Sequence, residues 1–370
     1  MNPLSPAPLA DRLARLRSAV VDAGHQQLLV TDALNVRWLT GFTGSFGSVL
    51  VNPDQAVLIT DSRYAVQAGE QLPDHVEVVI VGSDSGQRVA DHLAQLLSTD
   101  QLAYEADHMT VAALESLTMA LTESGATAGL VPTKDLTATL RQIKDPSETE
   151  RLRAACRIAD DALYATLEWI RPGVTEIRAA RQLEWEMAER GSERPSFDTI
   201  LASGPNGGKP HARPSDRVME NGDMVVIDFG ATVDGYGSDM TRTLVVGGKA
   251  TAEQENWYQN VARAQAAGVE ALAPGVHLNE LHHTTRSVLL ETGQDGTYNH
   301  GTGHGVGLFI HEDPIISPRS EGSAEVGMAL TVEPGAYVEG IGGVRIEDLV
   351  LVSPSGAEPL TTFPKGLAAR

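Results

Sequence analysis

The sequence predicts an α+β protein with two domains, a smaller α/β domain over residues 1–140 and a larger domain over residues 141–370. Its 370 residues are enough for two hydrophobic cores. Three observations support this division. Short apolar runs alternate with helix-like segments in the first part, a proline interrupts the chain at position 146, and one pattern of helices and strands occurs twice beyond it.

The first domain is predicted to begin with a helix, because Leu9, Leu13, Leu16 and Val20 recur at helical spacing. Further helices are expected near residues 86–98 and 110–123. Apolar runs bounded by Gly, Pro and Asp predict strands over residues 28–30, 49–51, 57–60, 76–81, 102–104 and 128–131.

The second domain is predicted to open with a long helix. Asp145-Pro146 breaks the preceding element, and Ser147 with Glu150 matches a Ser-x-x-Glu capping box. The capping box reciprocally satisfies backbone N–H groups that have no partner in the first helical turn. The domain boundary therefore falls just before this helix.

The second domain contains an internal repeat. Pro172-Gly173-Val174 ends one helical segment and Pro274-Gly275-Val276 ends another, 102 positions later. Each is followed by a second helix that stops at a glycine, Gly191 or Gly293, again 102 positions apart. Chance recurrence of a common helix stop is the alternative explanation. A duplicated helix-helix-strand-strand unit is favoured because charged residues keep nearly the same offset.

Four carboxylates and one histidine lie at or beside runs of β-branched and aliphatic residues, where charge is normally avoided. They are Asp228, Asp239, His304, Glu333 and Glu347. Asp228 and Glu333 are 105 positions apart, and Asp239 and Glu347 are 108 apart, so each repeat gives two carboxylates to one centre. Close buried carboxylates become protonated unless cations compensate for them. Because two divalent cations match four carboxylates in charge, the sequence predicts a dinuclear site.

A hairpin is predicted to bring the first two carboxylates together. Asp234-Gly235 is a strong signal for a two-residue turn, which places position 228 opposite position 241. Asp239 is then the residue two along on the same face as position 241. Such diagonal neighbours have Cα atoms about 7–8 Å apart, which is close enough to share a pair of metals.

A second hairpin is predicted for the other two carboxylates. Glu333 and Glu347 are expected to face each other across it, with a turn that contains Gly340, Gly342 and Gly343. Arg345 would then share the face of Glu347. Ligands carried on strands are rigid, as a two-metal site requires.

The histidine lies in a glycine-rich segment, HGTGHGVG, which is not expected to be a helix. It matches neither a nucleotide-binding loop nor the helical His-Glu-x-x-His zinc site. The glycines are expected to let the backbone and the imidazole of His304 approach the metals closely. Oxygen ligands with one imidazole favour manganese, with cobalt or zinc as alternatives. A hydroxide between two such metals would attack an amide at neutral pH, although the ligands alone leave a phosphoester open.

On these residues the chain resembles the pita-bread metallopeptidases of the Xaa-Pro group, aminopeptidase P and prolidase. The likeness runs from GFTGSFGSVLV and LITDSRYAVQA in the first domain to all five ligand positions in the second. It implies a creatinase-like N-terminal domain followed by a pita-bread catalytic domain with an internal pseudo-twofold repeat. It also implies that Asp239 and Glu347 bridge two metals, and that Glu333 carries a proton from the bridging hydroxide to the leaving proline nitrogen.

The resemblance further implies roles for residues around the metals. His211, in GKPHARPS, matches a histidine on the substrate side, although by position alone it could be an ordinary loop residue. His300 and His311 match two histidines that steady the scissile carbonyl and the developing oxyanion. Arg345 and Tyr337 are candidates for contact with the substrate or support of the ligands. The alternative for Arg345 is a strand residue that is only paired with Glu347, and the alternative for Tyr337 is a packed aromatic side chain.

One position departs from the pattern. Many similar prolidases carry an arginine four residues after the histidine that matches His311, where it grips the free carboxylate of a dipeptide. Ile315 stands at that position. Arg319 is a candidate replacement or a solvent-facing residue, and the GFTGSFG loop of a neighbouring subunit is another candidate. The choice between dipeptides and longer peptides stays open.

Composition limits the partners and the compartment. A formal charge of −21 argues against a nucleic-acid partner, and no apolar stretch approaches the length of a membrane span. Charged residues at positions 11–17 occupy the place of a signal peptide's apolar region, and the one cysteine, Cys156, fits a reducing compartment. We therefore expect a cytoplasmic protein that acts on small peptides with proline second. The resemblance adds a homo-oligomer, expected to be a dimer.

Two other functions are compatible with parts of the pattern. A methionine-aminopeptidase-like or other non-proline exopeptidase would share the five ligands but would not need the separate N-terminal domain. A peptide-binding module on the same scaffold would be expected to have lost ligands, and the chain retains all five.

Overall fold

The computed structural model of the chain describes residues 7–82, 85–294, 298 and 300–367. Within this part, the chain forms two compact units that divide between Arg141 and Gln142. No helix of the described residues combines the length and the apolar character needed to cross a bilayer.

The first unit is built on a six-stranded mixed sheet in the order β4-β3-β2-β1-β5-β6. Its strands are β1 (Leu28–Val30), β2 (Ser48–Val51), β3 (Ala56–Asp61), β4 (Glu77–Val81), β5 (Gln101–Glu105) and β6 (Gly129–Thr133). Its helices are α1 (Leu9–Asp22), α2 (Ala33–Thr40), α3 (Ala65–Gln71), α4 (Ser85–Leu96), α5 (Val111–Glu123) and α6 (Leu136–Gln142). All predicted strands and helices of this region occur, and the short helices α2, α3 and α6 were not predicted.

The second unit begins with helix α7 (Pro146–Thr166). Its capping box is formed by Asp145 and Glu148, so the predicted box of Ser147 and Glu150 is wrong by two residues. The Asp145 carboxylate accepts from the backbone N–H of Ser147 at 2.8 Å and of Glu148 at 3.0 Å. Pro146 decides this register, because proline is favoured at the first helical position, where no N–H partner is needed.

The predicted repeat is present in this unit. Helices α7 and α8 (Glu176–Glu189) precede one sheet, and α9 (Ala252–Ala271) and α10 (Leu278–Glu291) precede the other. Helix α10 begins and ends 102 positions after α8. In each repeat the second helix and the sheet that follows it share an apolar core.

The two sheets are alike in the arrangement of their central strands. The first sheet has the order β11-β8-β7, and the second has the order β13-β12-β14-β17-β18. The first is formed by β7 (Ile200–Ser203), β8 (Met224–Phe229) and β11 (Met240–Val245). The second is formed by β12 (Gly303–Gly305), β13 (Glu312–Ile316), β14 (Ala329–Val332), β17 (Asp348–Ser353) and β18 (Gly356–Pro359).

The first predicted hairpin is confirmed. Asp234 and Gly235 have φ angles of 46° and 79°, as a type I′ turn requires. They join β9 (Thr232–Val233) to β10 (Tyr236–Gly237), and the same register continues into β8 and β11. Position 228 consequently lies opposite Thr241, as predicted.

The second hairpin differs from the prediction in its turn. Strand β15 (Gly335–Val338) pairs with β16 (Gly342–Arg345), so residues 339–341 form the turn, and Gly342 and Gly343 lie on the strand. A Cβ atom on Gly343 would come within 2.1 Å of the Gly207 carbonyl oxygen. The glycine is therefore needed for close packing against the segment 204–208 rather than for the turn.

Candidate metal centre

The strand ends of both repeats meet at one cavity of about 550 Å³. Asp228 lies on β8, and Asp239 precedes β11 by one residue. His304 lies on β12, Glu333 follows β14, and Glu347 lies between β16 and β17. All five predicted ligands line this cavity.

The ligand atoms are close enough to share bound ions. The His304 Nε2 atom lies 3.6 Å from Asp239 Oδ2 and 3.6 Å from Glu333 Oε1. One ligand atom each of Asp239, His304 and Glu347 lies within 4.8 Å of the other two. The other ring nitrogen of His304, Nδ1, is 3.1 Å from the Gly305 carbonyl oxygen, to which it donates. This bond leaves Nε2 as the ligand atom that faces the carboxylates.

The electrostatics of the site fit divalent cations. Burial raises the pKa of Asp239 well above its ordinary value, and the charges of Glu347, Asp228 and Glu333 raise it further. Burial and the charge of Glu333 raise the pKa of Glu347 in the same direction. Burial also lowers the pKa of His304, which keeps the imidazole neutral and able to bind a metal. Cations in contact with these groups would remove the repulsion.

The carboxylate of Asp228 is a second indication that a cation binds at this site. Its Oδ1 atom is buried and has no hydrogen-bond partner among the described residues. A buried carboxylate oxygen without a partner is costly unless a cation or water satisfies it. The other oxygen, Oδ2, accepts a hydrogen bond from Arg345. The donor set present therefore fits the predicted metals.

Arg345 supports the ligands from within the protein. Its guanidinium donates to Asp228, to Thr241 Oγ1 at 3.0 Å and to the Tyr337 hydroxyl at 2.9 Å. A further bond of 3.1 Å reaches the Pro210 carbonyl oxygen. Thr241 in turn donates to Glu347 Oε2 at 2.7 Å. Sequence reasoning did not identify Thr241, although its register position opposite Asp228 was the available signal.

A buried ion pair lies directly behind these ligands. Arg242 donates to Asp348 Oδ1 at 2.8 Å and to the carbonyl oxygens of Thr241 and Glu347. Burial alone would raise the pKa of Asp348, but the charges of Arg242 and Lys365 hold it below its ordinary value. The pair joins the strand of Asp239 to the strand of Glu347, and so links the two repeats.

His300 and Tyr337 form a second hydrogen-bonded group. His300 Nε2 lies 3.0 Å from the Tyr337 hydroxyl, and His300 Nδ1 lies 2.8 Å from the Gly301 carbonyl oxygen. Because that carbonyl can only accept, Nδ1 carries the proton and Nε2 accepts from Tyr337. Burial, followed by the charge of Arg345, lowers the pKa of His300 to about 4. His300 lines the cavity, whereas Tyr337 lies behind it.

The remaining predicted residues divide into two groups. His211 and His311 are exposed on the cavity wall, and the ring of His311 lies 4.6 Å from that of His304. Ile315 lines the cavity as well. Arg319 is exposed and is not among the residues that line the cavity. The structure thus brings the histidines to the metal ligands and leaves Arg319 away from them.

His211 lies on a loop that a buried carboxylate holds at both ends. We call residues 204–215 the His211 loop. Glu176, fully buried at the start of α8, accepts from the backbone N–H and hydroxyl of Ser203 at 2.7 and 2.8 Å. It also accepts from the Asn206 amide at 3.1 Å and from the Ser215 hydroxyl at 2.6 Å. Sequence reasoning missed Glu176, because its partners lie 27 to 39 positions away.

Gly303, beside His304, is required for a close contact between strands that the sequence did not predict. A Cβ atom on Gly303 would lie 1.9 Å from the Thr331 carbonyl oxygen. The glycine therefore allows β12 to pack against β14, and this packing positions the imidazole. The backbone N–H of His304 also donates to Thr331 Oγ1 at 3.0 Å.

Comparisons with known proteins match both units of the chain to known families. Residues 150–354 match the family described as metallopeptidase family M24, and residues 12–143 match the creatinase/prolidase N-terminal domain. The Xaa-Pro dipeptidase of Pyrococcus furiosus is 44% identical over 233 residues, which cover 63% of this chain and 67% of that protein.

Solved structures give the same result over nearly the whole chain. An Xaa-Pro dipeptidase from Bacillus anthracis is similar with a TM-score of 0.92 and 39% identity, covering 97% of this chain and 99% of that one. An X-Pro aminopeptidase from Thermotoga maritima is similar with a TM-score of 0.87 and 33% identity, covering 96% and 99%.

Proposed function

Because the chain belongs to metallopeptidase family M24, we propose that it is an exopeptidase that hydrolyses the bond between an N-terminal residue and proline. The observation that carries the proposal is the convergence of all five ligands on one cavity. The similarity to an Xaa-Pro dipeptidase and to an X-Pro aminopeptidase supports the choice of substrate. It does not distinguish a dipeptide from a longer peptide.

Two divalent cations would be held by Asp228, Asp239, His304, Glu333 and Glu347. When bound, such cations lower the pKa of water and polarise a carbonyl group. The four carboxylates balance their charge, and the neutral imidazole adds a ligand that manganese, cobalt or zinc accepts. Manganese is the metal we propose.

Glu333 is proposed to move the proton. In the metal-free protein, burial raises the pKa of this carboxyl group to about 7, and 19% of the side chain, which lines the cavity, remains exposed. A carboxylate that lines the cavity can accept a proton and release it again during turnover. Glu333 would accept a proton from the attacking water and deliver it to the proline nitrogen as the peptide bond breaks.

The histidines are proposed to position the substrate. His211 and His311 are exposed on the cavity wall, so their ring nitrogens can contact a bound peptide. His300 differs from them, because both of its ring nitrogens already have partners in the protein. We assign His300 to the cavity wall, with Tyr337 and Arg345 as its support. Proline suits such a site because its amide nitrogen has no hydrogen to satisfy.

The remaining expectations stay predictions of this proposal. They are a homodimeric assembly, a cytoplasmic location and a substrate range of small peptides with proline second.

The proposal is tested by hydrolysis of an Xaa-Pro dipeptide, a matched Xaa-Pro tripeptide and an Xaa-Ala dipeptide. Each is measured with manganese added and then with a chelator. We expect cleavage of at least one proline substrate, no comparable cleavage of Xaa-Ala, and loss of activity on chelation. Preference for the alanine substrate would support a non-proline exopeptidase. Binding without metal-dependent cleavage would support a peptide-binding module.

A further inference from the structure

The rim of the metal cavity carries a loose pair of opposite charges that the proposed mechanism does not use. Arg213 Nη2 lies 3.5 Å from Asp198 Oδ2, and the two side chains are 87% and 88% exposed. Both residues line the same cavity as the five ligands. An exposed ion pair at this distance contributes little to stability. Either residue can therefore leave the pair and bind a ligand at a small cost in free energy.

Arg213 is the available cation on this wall. The described residues of the cavity wall include one other arginine, Arg345, which is buried and already donates to four acceptors. A substrate anion that enters the cavity therefore meets one exposed guanidinium group.

The backbone of Arg213 is held in place although its side chain is exposed. Arg213 lies on the His211 loop, two residues after His211 and two before Ser215. Ser215 donates to the buried carboxylate of Glu176 through both its backbone N–H, at 3.1 Å, and its hydroxyl, at 2.6 Å. This anchor fixes the point from which the guanidinium reaches into the cavity.

We propose that Arg213 binds the free carboxylate of an Xaa-Pro dipeptide and thereby makes dipeptides the preferred substrates. The inference rests on the proposed function. A guanidinium group donates two parallel hydrogen bonds to a carboxylate, a geometry that no neutral group reproduces. Asp198 holds Arg213 in the free protein, and the substrate carboxylate replaces it. A longer peptide has an amide where the dipeptide has this carboxylate, and so lacks the interaction.

The test compares an Xaa-Pro dipeptide with its C-terminal amide, which has nearly the same size but no carboxylate. Kinetics are measured for the wild type, Arg213→Ala and Asp198→Asn with manganese present. We expect Arg213→Ala to raise KM for the dipeptide about tenfold, a typical loss for one charge-assisted contact, and to leave KM for the amide unchanged. Asp198→Asn is expected to lower KM for the dipeptide, because it removes the competing carboxylate.

Two further variants make the result specific. Arg263→Ala removes an exposed arginine on α9 that does not line the cavity, and is expected to change neither substrate. Arg319→Ala tests the other candidate arginine. A dipeptide-selective loss in Arg319→Ala instead of Arg213→Ala would overturn the inference. An equal loss on both substrates in Arg213→Ala, or no loss on either, would overturn it as well.

The outcomes separate this inference from the function it rests on. Wild-type cleavage of the dipeptide or its amide retains the Xaa-Pro peptidase assignment whatever Arg213→Ala does. If the wild type cleaves neither substrate with metal present, the proposed function fails and the inference fails with it.

Discussion

The two repeats of the second unit are alike in the carboxylates that they bring to the cavity and unlike in the side chains around them. Asp228 and Glu333 lie at the ends of matching central strands, and Asp239 and Glu347 precede the matching partners. At the 102-residue offset, however, His304 on β12 corresponds to Ala202 on β7. Both repeats therefore contribute two carboxylates to the cavity, and the second repeat also contributes the imidazole of His304.

The supporting side chains differ in the same way. Glu176 opens α8 with a buried carboxylate that holds the His211 loop, whereas Leu278 opens α10 inside an apolar cluster. The difference teaches that duplication accounts for the four carboxylates, whereas the imidazole of His304 and the anchor of the His211 loop each belong to one repeat. The following predictions test that division, from the largest expected effect to the smallest.

Glu333→Gln is expected to lower kcat by about 10³–10⁴-fold, because it removes the proposed proton carrier. Asp228, which occupies the equivalent position in the first repeat, provides the matched control. Asp228→Asn is expected to weaken metal binding, so that excess manganese restores part of its activity. Turnover is measured over a manganese titration, with circular dichroism to check the fold. Equal rescue of both variants would show that the two positions have the same role.

Asp348→Asn is expected to lower the free energy of unfolding by about 3–5 kcal/mol. It breaks the buried ion pair with Arg242 that links the two repeats, and leaves the guanidinium without its counter-charge. Urea denaturation measures the loss, and a double-mutant cycle with Arg242→Met isolates the coupling. Additive effects of the two substitutions would mean that the pair does not join the repeats energetically.

The metal-free protein is expected to lose stability as pH rises. The pKa of Glu333 is about 7 in the folded state, raised by burial from an ordinary value of 4.5, so the folded state binds the proton more tightly than the unfolded state. The resulting stability is complete below about pH 4.5 and is lost by about pH 7, which corresponds to about 2–3 kcal/mol. Denaturation at pH 5 and 7.5, without metal and with manganese, measures it. Glu333→Gln should reduce the pH dependence.

Glu176→Gln is expected to lower the free energy of unfolding by about 1–3 kcal/mol. The substituted amide group faces hydroxyl and N–H donors and leaves part of them without an acceptor. Because the hydrogen-bond partners of Glu176 lie in the His211 loop and at the end of β7 beside it, kcat/KM should fall more than manganese affinity does. Glu189→Gln, at the exposed end of α8, is the matched control. A larger effect on metal binding than on kcat/KM would contradict the division between the repeats.

Local patterns explain why the ligands could be predicted from the sequence. A charge in a run such as VVIDFG is costly in itself, and the Asp234-Gly235 turn fixes its register within a few residues. The supporting contacts are not local: Thr241 and Glu347 are 106 positions apart, and Glu176 and Ser215 are 39 apart. The prediction of the capping box was wrong for another reason. Asp145 and Ser147 are both good caps with a glutamate three residues later, and only Pro146 distinguishes them.

The anchoring of the His211 loop by one carboxylate has a consequence for evolution and for engineering. Ser203 and Ser215 attach the loop at its two ends, so the exposed side chain of Arg213 can vary without disturbing the proposed metal ligands. Selectivity for substrate length can then change during evolution independently of kcat. A library confined to position 213 would sample new specificities without changing the proposed metal ligands or the anchor of the loop.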